Sequence, residues 1–560
     1  MNSAAINAHD WDSIQTHLDS LEAEVLGAQN VPAWLLRWNT LEVALTNAGS
    51  VAYRAMTEDT TNTEAEKTYL HLVKNIRPKM QLANQRLKTK LLAVTDFEPG
   101  PEHELMLKRL RTEADLFRAE NVPLQTELTV LASEYRKIVG RMNLSIDGRE
   151  QTIEEASMAL LEPNRDRRER VWHAVNDRHL EDQSVLDDLF LKLVALRQRV
   201  ARNAGLQHFR EYAWRDLARF DYSPEDCETF HAAILEHAVP LVNRLLEQDR
   251  QNFGLATMRP WDFDWRFPLD SSGLPPLKPF ETVAELEAGG QRIFNAVDPE
   301  LGSQFALMRD GFLDLGSRAG KASGGYCDYF ALVGKPYIFM NAVGTQDDVQ
   351  TLLHEGGHAF HAFAFGRTQA LIWNHWGPTE FAEVGSMAME LLASPYFERD
   401  KGGFYSSDDA ARARRQLLWS IVRFLPYMTI VDSFQHFVYT SNELTAADLH
   451  AKWDELWDRY SPGVDWTGLE TAKRTRWHRQ GHVFTSPFYY VEYGMAQLGA
   501  LQIWRNALEN QASALAQYKH ALEFGGTKSI PDLFAAAGAT FAFDGKTVGE
   551  LMALIEQNLT

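Results

Sequence analysis

Apolar residues recur at helical spacing along most of the 560-residue chain. Side chains three and four positions apart fall on one face of an α-helix, so such a stripe predicts a helix that packs by that face. These stripes run from Trp11 to Leu26, through Tyr69, Leu72, Val73, Ile76 and Met80, and through Leu186, Leu189, Phe190, Leu193 and Val194. The pattern predicts a mainly α-helical protein.

One stretch, residues 325–342, departs from helical spacing. Two apolar runs rich in aromatic and β-branched residues flank Gly334-Lys335-Pro336, which predicts a β-hairpin with its turn at those three residues. The open edge of a hairpin can align an extended peptide through backbone hydrogen bonds. A purely structural hairpin is the alternative.

The segment after the hairpin combines a helix start with a one-sided apolar stripe. Thr345 is the expected N-cap, with Asp348 three residues on as its capping-box partner. His354 and His358 lie almost opposite the apolar stripe, which comprises Val349, Leu352, Leu353, Ala359, Phe360 and Phe363. We therefore expect a helix that packs by one side and presents two imidazoles on the other.

Positions 354–358 read His-Glu-Gly-Gly-His, an H-E-x-x-H motif. On a helix the two histidines can bind zinc from one side, and Glu355 is placed to act as general base for the attacking water. The motif also arises by chance, and paired histidines can be ordinary surface residues. Gly356 and Gly357 each cost about 1 kcal/mol relative to alanine in a helix interior, and we interpret them as room for close backbone approach.

A third ligand distinguishes the classes of zinc peptidase. A metzincin has a histidine ten residues after the first one and a glycine three residues before that position. Here those positions hold Ala364 and His361, so we expect a glutamate from a following helix instead.

Residues 379–392 suit that helix, with Thr379 as N-cap after Gly377-Pro378. Three acids are available there: Glu380, Glu383 and Glu390. Glu383 and Glu390 share a face, so one can bind the metal while the other supports a ligand histidine.

The motif, with Glu383 twenty-five residues after His358 and Ser386 and Glu390 beyond it, resembles the M3 family of zinc oligopeptidases, and the oligoendopeptidase F branch fits best. The likeness covers about residues 200 to 550. It includes Gly324-Gly325-Tyr326-Cys327, Gly344-Thr345-x-x-Asp348-Val349 and the segment 482–493.

The resemblance implies one Zn²⁺ per chain, bound by His354, His358 and Glu383, with Glu355 as general base. It implies a mainly α, bowl-shaped, two-lobed metallopeptidase with a small β-sheet beside the active-site helix and a deep substrate channel. Residues 1–190 would be a helical amino-terminal region forming part of the channel wall, and residues 191–560 the catalytic domain. The expected substrate-binding residues are Gly324, Gly325, Tyr326 and Tyr489.

The carboxy-terminal part carries an aromatic cluster of His482, Tyr489, Tyr490 and Tyr493. Such clusters are more often core packing, but a histidine and tyrosines are also suitable donors to the oxyanion of peptide hydrolysis, each contributing about 10²- to 10³-fold. The family has a matching histidine and tyrosine pair, although the first spacing is one residue shorter here. The resemblance therefore implies His482 and Tyr493 as oxyanion donors, with Tyr490 third.

Charge and composition narrow the partners. The net charge of −20 disfavours nucleic-acid binding. The chain shows no run of 18 apolar residues and no signal-peptide pattern, so we expect a cytoplasmic protein that binds no membrane. Cys227 and Cys327 are expected to be reduced and packed.

The motif predicts hydrolysis by a zinc-activated water, and the resemblance implies a zinc metalloendopeptidase that cleaves internal bonds of unfolded oligopeptides. One alternative is a carboxy-terminal exopeptidase or dipeptidase of the same zinc class. Another is a non-catalytic peptide-binding protein with a structural metal. This last reading is weak, because structural zinc normally has four ligands rich in cysteine and the two cysteines are a hundred residues apart. The sequence gives no oligomeric state.

Overall fold

A computed structural model describes residues 6–263, 270 and 273–559. Over these residues the protein is mainly α-helical with small sheets, which confirms the predicted fold class. The first helices are α1 (Trp11–Ala23), α2 (Val31–Glu58), α3 (Thr63–His71), α4 (Arg77–Leu92), α5 (Pro101–Leu116), α6 (Asn121–Gly140), α7 (Ile153–Ser157), α8 (Arg165–Glu181), α9 (Gln183–Asn203), α10 (Phe209–Asp216) and α11 (Pro224–Asn252). The later helices are α12 (Val283–Val297), α13 (Pro299–Met308), α14 (Gln346–Thr368), α15 (Thr379–Ala393), α16 (Ser407–Thr440), α17 (Ala446–Tyr460), α18 (Glu470–Arg474), α19 (Gly481–Thr485), α20 (Tyr490–Leu522), α21 (Ile530–Ala536) and α22 (Gly545–Leu559).

The predicted apolar stripes fall on helices. They correspond to α1, to α3 and α4 with the π-helical turn Leu72–Ile76 between them, and to α9. Of the second stripe, Ile76 and Met80 are buried, whereas Tyr69 and Leu72 are only partly covered. The buried residues of these stripes belong to the hydrophobic cores of the protein.

Two main hydrophobic cores organise the described residues. The smaller one is built from apolar residues between Ile6 and Leu110, joined by Leu371. The larger one gathers residues from Leu116 to Leu559 and includes the apolar face of α9. The division between residues 190 and 191 stays a prediction, and position 190 lies inside α9.

Among the described helices, α16 has the length and apolar composition of a membrane span. In its most apolar 18-residue window, 83% of the residues are buried inside the protein. A core helix of a soluble protein has the same composition, so α16 is weak evidence for a membrane segment.

The larger sheet holds β3 (Leu313–Gly316), β4 (Tyr326–Phe330) and β5 (Lys335–Ala342) in the order β3-β5-β4. The predicted hairpin is present as antiparallel β4 and β5, but its turn ends at Gly334, where φ is +66°, and Pro336 lies within β5. Proline is tolerated there because parallel β3 pairs with β5 only from Ile338 onward, which leaves Pro336 a free side. A second, two-stranded sheet pairs β1 (Asn143–Ile146) with β2 (Arg149–Thr152).

β5 leads directly into α14 through the predicted capping box. The Thr345 hydroxyl accepts a hydrogen bond from Asp348 N, and Asp348 Oδ2 accepts from the backbone N–H of Val343, Gly344 and Thr345. At α15 the predicted cap is wrong: Thr379 is the first helical residue, and Pro378 precedes it without a side-chain cap. Burial of α15 from Glu380 to Ala393 stabilises that helix instead.

Candidate active site

Helices α14 and α15 approach each other backbone to backbone at Gly357. A Cβ atom at this position would lie 2.5 Å from Gly385 O and 2.6 Å from the Ser386 Cα. At Gly356 it would lie 2.5 Å from the Phe294 ring on α12. Gly357 thus allows the close backbone approach that the sequence predicted, whereas Gly356 makes room for a side chain. The approach at Gly357 brings the acids of α15 to the histidines of α14.

His354, His358 and Glu383 converge where the two helices meet. Glu383 Oε2 lies 3.3 Å from His354 Nε2 and 3.4 Å from His358 Nε2. Two tetrahedral ligands at about 2.0–2.1 Å from one zinc ion lie about 3.3–3.4 Å apart. Both histidine nitrogens therefore lie at ligand spacing from Glu383 Oε2, and the ligand atoms of the three residues all lie within 4.8 Å of one another, so the residues fit such an ion.

The other ring nitrogen of His354 also has a carboxylate partner. Nδ1 donates to Glu390 Oε1 at 2.7 Å, and Gln350 donates to the second Glu390 oxygen at 2.7 Å. Burial lowers the pKa of His354, but hydrogen bonds with Glu383 and Glu390 outweigh it and hold that pKa well above its ordinary value. The surroundings therefore favour positive charge at this point, which a bound cation also supplies.

Glu383 is held in place from two sides. Ser386 donates its hydroxyl to Glu383 Oε2 at 3.0 Å, and Tyr489 donates to Oε1 at 2.9 Å. Tyr489, expected to bind substrate, thus contacts Glu383, the acid of the cluster.

Glu380, the remaining acid of α15, faces a different set of partners. Its Oε1 accepts from the Tyr222 hydroxyl at 2.6 Å and lies 3.7 Å from the buried Arg219 guanidinium. Of the three acids that the sequence offered, the structure brings Glu383 to the histidine pair and Glu390 behind it.

Glu355 lies beside the cluster and is only 7% exposed. Its Oε2 has no hydrogen-bond partner among the described residues. Burial raises the pKa of this carboxyl, against the opposing effect of His354 and His358. One oxygen of this carboxylate therefore has its hydrogen-bonding capacity unused by the described residues.

The start of β4 runs close to Glu355. A Cβ atom on Gly325 would lie 3.6 Å from Glu355 Oε1, and Gly324 has φ +91°, which favours glycine. The Tyr326 side chain instead hydrogen-bonds Thr57 of α2 at 2.7 Å. This segment therefore presents backbone without side chains, at Gly324 and Gly325, next to Glu355.

The aromatic cluster faces the same site. The His482 ring lies 5.7 Å from that of Tyr489, 5.2 Å from Tyr490 and 5.8 Å from Tyr493. Burial first, then the Glu383 carboxylate, raises the pKa of Tyr493 well above its ordinary value, so its hydroxyl stays a donor. Tyr490 is more deeply buried and packs against Phe424 and Tyr427 in the core.

The turn before α20 is pinned by residues that sequence reasoning missed. Phe488 has φ +67°, an uncommon conformation for a bulky residue. Its N–H donates to Gln435 at 2.7 Å, and its carbonyl accepts from Arg219, whose side chain is fully buried and also pairs with Glu492. No sequence pattern marks Gln435 or Arg219, because both act across the fold.

Two further groups of metal-binding residue types occur in the described part of the chain: Asp187 with His450 and His478, and Cys227 with Asp432 and His436. Asp187 Oδ1 lies 2.9 Å from His450 Nε2 and 2.7 Å from His478 Nε2, which are hydrogen-bond distances. His436 Nε2 lies 3.2 Å from Asp432 Oδ2, and its Nδ1 lies 3.2 Å from the Arg210 guanidinium. Because arginine can only donate, Nδ1 accepts and Nε2–H donates to Asp432. Hydrogen bonds thus account for the Asp187 group and for the Asp432–His436 pair.

Known peptidases are similar to this chain in sequence. The model of peptidase family M3 matches residues 158–549. An oligoendopeptidase F homologue of Borreliella burgdorferi is 24% identical over 232 residues, which are 40% of this chain and 37% of the relative. Oligopeptidase PepF of Bacillus subtilis is 23% identical over 251 residues, which are 42% of this chain and 36% of the relative. These matches span well under half of either curated relative.

Solved structures match over nearly the whole chain. A structure carrying the name oligoendopeptidase F has a TM-score of 0.91 and 27% identity, and the match covers 100% of this chain and 98% of that one. Pz peptidase A, solved with an inhibitor, has a TM-score of 0.90 and 26% identity, with 98% and 97% covered.

Proposed function

Because the chain belongs to peptidase family M3, we propose that it is a zinc metallopeptidase that hydrolyses internal bonds of unfolded oligopeptides. The observation that carries this proposal is the convergence of His354 Nε2 and His358 Nε2 on Glu383 Oε2 at ligand spacing, beside a Glu355 carboxylate whose Oε2 has no partner among the described residues. These three residues would hold one zinc ion. When bound, zinc would polarise the scissile carbonyl and make the attacking water more acidic.

Glu355 supplies the general base. Its buried carboxylate takes a proton from the attacking water and passes it to the leaving amine. Burial raises the pKa of Glu355, which makes it a better proton acceptor and a competent donor in the second step.

Donors from the aromatic cluster stabilise the oxyanion of the tetrahedral intermediate. We assign this role to His482 and Tyr493, which are partly exposed toward the site, ahead of the core-packed Tyr490. Tyr489 then positions Glu383 and lines the site.

The peptide lies against the start of β4. Gly324 and Gly325 offer backbone groups without side chains next to Glu355, so an extended chain can be bound through main-chain hydrogen bonds with little demand on its sequence. The Tyr326 backbone continues this surface. Such recognition suits turnover of varied oligopeptides in the cytoplasm, without nucleic-acid or membrane partners.

Product mapping tests the proposal. The protein is incubated with a mixed set of peptides, with and without a chelator and after zinc is restored, and the products are identified by mass spectrometry. Internal cuts that a chelator abolishes and zinc restores are expected. Peptides blocked at both termini serve as the control, because an endopeptidase cleaves them and a carboxy-terminal exopeptidase does not. Bound peptide without any cut, in protein that holds zinc, would favour the peptide-binding alternative.

A further inference from the structure

Gln480 joins the core to the imidazole of His482. Its Nε2 lies 2.8 Å from His482 Nδ1, and its Oε1 accepts a hydrogen bond from the Tyr427 hydroxyl at 2.9 Å. The residue is 6% exposed. Both ends of the amide are therefore engaged, one by the core and one by the histidine.

The hydrogen-bonding capacity of an amide fixes the tautomer of its partner. An amide nitrogen can only donate, so His482 Nδ1 must accept. A neutral imidazole carries one hydrogen, which is then on Nε2. Burial lowers the pKa of His482, against the effect of Glu383, and so keeps the ring neutral.

The backbone around Gln480 is fixed as well. Gln480 N–H donates to Trp477 O at 3.1 Å, and Gln480 O accepts from Val483 N at 3.1 Å. The preceding turn is held by Tyr135, whose hydroxyl donates to His478 O at 2.9 Å. The amide therefore sits in a position set by the fold.

From this geometry we propose that Gln480 is a positioning residue, which holds His482 in the tautomer with hydrogen on Nε2 and thereby makes it a donor to the oxyanion of the bound peptide. The inference rests on the proposed peptidase activity. In the reverse arrangement, with hydrogen on Nδ1, Nε2 would present a lone pair to a negative oxygen.

Gln480→Glu replaces the group that donates to His482 Nδ1 with an acceptor of nearly the same size. The new carboxylate can only accept, so Nδ1 must donate. At alkaline pH the neutral ring then carries its hydrogen on Nδ1, whereas at lower pH the imidazolium still has Nε2–H. Gln480→Met is the matched control, because it keeps the shape and makes no hydrogen bond to the ring.

The tautomer is read directly by nitrogen NMR of the protein with ¹⁵N-labelled histidine, and the His482 signals are assigned by their loss in His482→Gln. In the wild-type chain we expect hydrogen on Nε2. In Gln480→Glu at alkaline pH we expect it on Nδ1. An unchanged tautomer in Gln480→Glu would overturn the proposal.

Kinetics give the second readout. At alkaline pH the kcat of Gln480→Glu should fall about 10²-fold with little change in KM, the size of one missing oxyanion donor. The ratio of wild-type to variant kcat should shrink as pH falls, because the protonated ring of the variant again carries Nε2–H. Titration of Glu383 and the three tyrosines is common to both enzymes and largely cancels in this ratio. Gln480→Met should show a smaller loss without this trend.

A double-mutant cycle shows whether the effect passes through His482. In a His482→Gln background, Gln480→Glu should cause no further loss of kcat. A full further loss there, or a changed tautomer with unchanged kcat, would overturn the proposal. Because NMR reads the tautomer without turnover, a chain that cleaves no peptide would refute the proposed function and still leave the tautomer measurable.

Discussion

His354 and His436 both lie on long helices and face a carboxylate with Nε2, but their second ring nitrogens have opposite partners. His354 Nδ1 meets the Glu390 carboxylate, which can only accept, at 2.7 Å. His436 Nδ1 meets the Arg210 guanidinium, which can only donate, at 3.2 Å. Each ring has a carboxylate near Nε2, so the two sites differ in the group that contacts Nδ1, which we call the far partner.

The far partner determines whether Nε2 of the neutral ring carries a hydrogen or a lone pair. With Nδ1–H donated to Glu390, positive charge is favoured between His354 Nε2 and Glu383, which lie 3.3 Å apart. A proton on Nε2 supplies that charge, and so would a cation held between the lone pair of the neutral ring and the Glu383 carboxylate. With Nδ1 accepting, His436 donates from Nε2 to Asp432 and needs no cation. We therefore expect the outer hydrogen bonds of a histidine–carboxylate cluster, as well as its ligand atoms, to determine whether it binds a metal.

The largest expected effect separates the two clusters by metal content. His354→Ala should reduce zinc from about one per chain to nearly none and abolish turnover, because a catalytic site with two protein ligands binds zinc poorly. His436→Ala should keep zinc near one per chain and lose about 1–3 kcal/mol of stability through unpaired buried groups. Elemental analysis and thermal melting of both variants check this. Equal zinc loss in folded His436→Ala protein would break the comparison.

Glu355 separates metal binding from chemistry within the first cluster. Glu355→Gln keeps the size of the side chain and the three ligands but removes the base, so turnover should fall by about 10²- to 10⁴-fold. Zinc content should stay at the wild-type value. The measurement is kcat on an internally quenched peptide together with zinc per chain. A variant that kept most of its activity would refute the assigned base.

A structural feature could be predicted from the sequence when residues close together in the chain determine it. The capping box at Thr345 and the apolar stripe of α14 were predicted, because spacing along one helix determines them. The expectation that α14 packs by one side only was wrong: Glu355, Gly356 and Gly357 are buried as well, because α15 and α12 cover that side. The cap at Thr379 was wrong because burial of α15, which no local pattern reports, stabilises that helix without a side-chain cap.

Partners that meet across the fold could not be predicted. The residues of α15 left three acids open, and only the approach of α14 to α15 shows which one reaches the histidines. Arg219 carries no sequence signal, since it contacts the aromatic segment only after distant helices have packed. Gln480 is close to His482 in sequence, but its second partner, Tyr427, comes from α16 and leaves no local pattern. Strand β3, with four residues, is too short to give a pattern of its own.

Tyr493 and Tyr490 allow a similar comparison between a residue assigned to the active site and a neighbour packed in the core. Tyr493→Phe should lower kcat by about 10²-fold with little change in KM, because the lost hydrogen bond forms mainly in the transition state. Tyr490→Phe, altered in the core, should keep activity and lose about 1 kcal/mol of stability. Kinetic constants and melting temperatures of both variants decide this. An active but destabilised Tyr493→Phe enzyme would leave His482 as the remaining assigned oxyanion donor.

The smallest expected effect bears most directly on the difference between the two histidines. Glu390→Gln leaves an oxygen that can still accept from His354 Nδ1 but removes the negative charge, so zinc affinity should fall by about 10-fold, at the low end for a partner of a ligand histidine. Glu380→Gln is the matched control, a buried acid of the same helix that faces Tyr222, and should bind zinc as the wild type does. Competition with a chromophoric chelator measures both affinities. If Glu390→Gln bound zinc with unchanged affinity while His354→Ala lost it, the ligand spacing alone would define the site. The far partner of the imidazole would then no longer explain why one cluster binds a metal and the other is closed by hydrogen bonds.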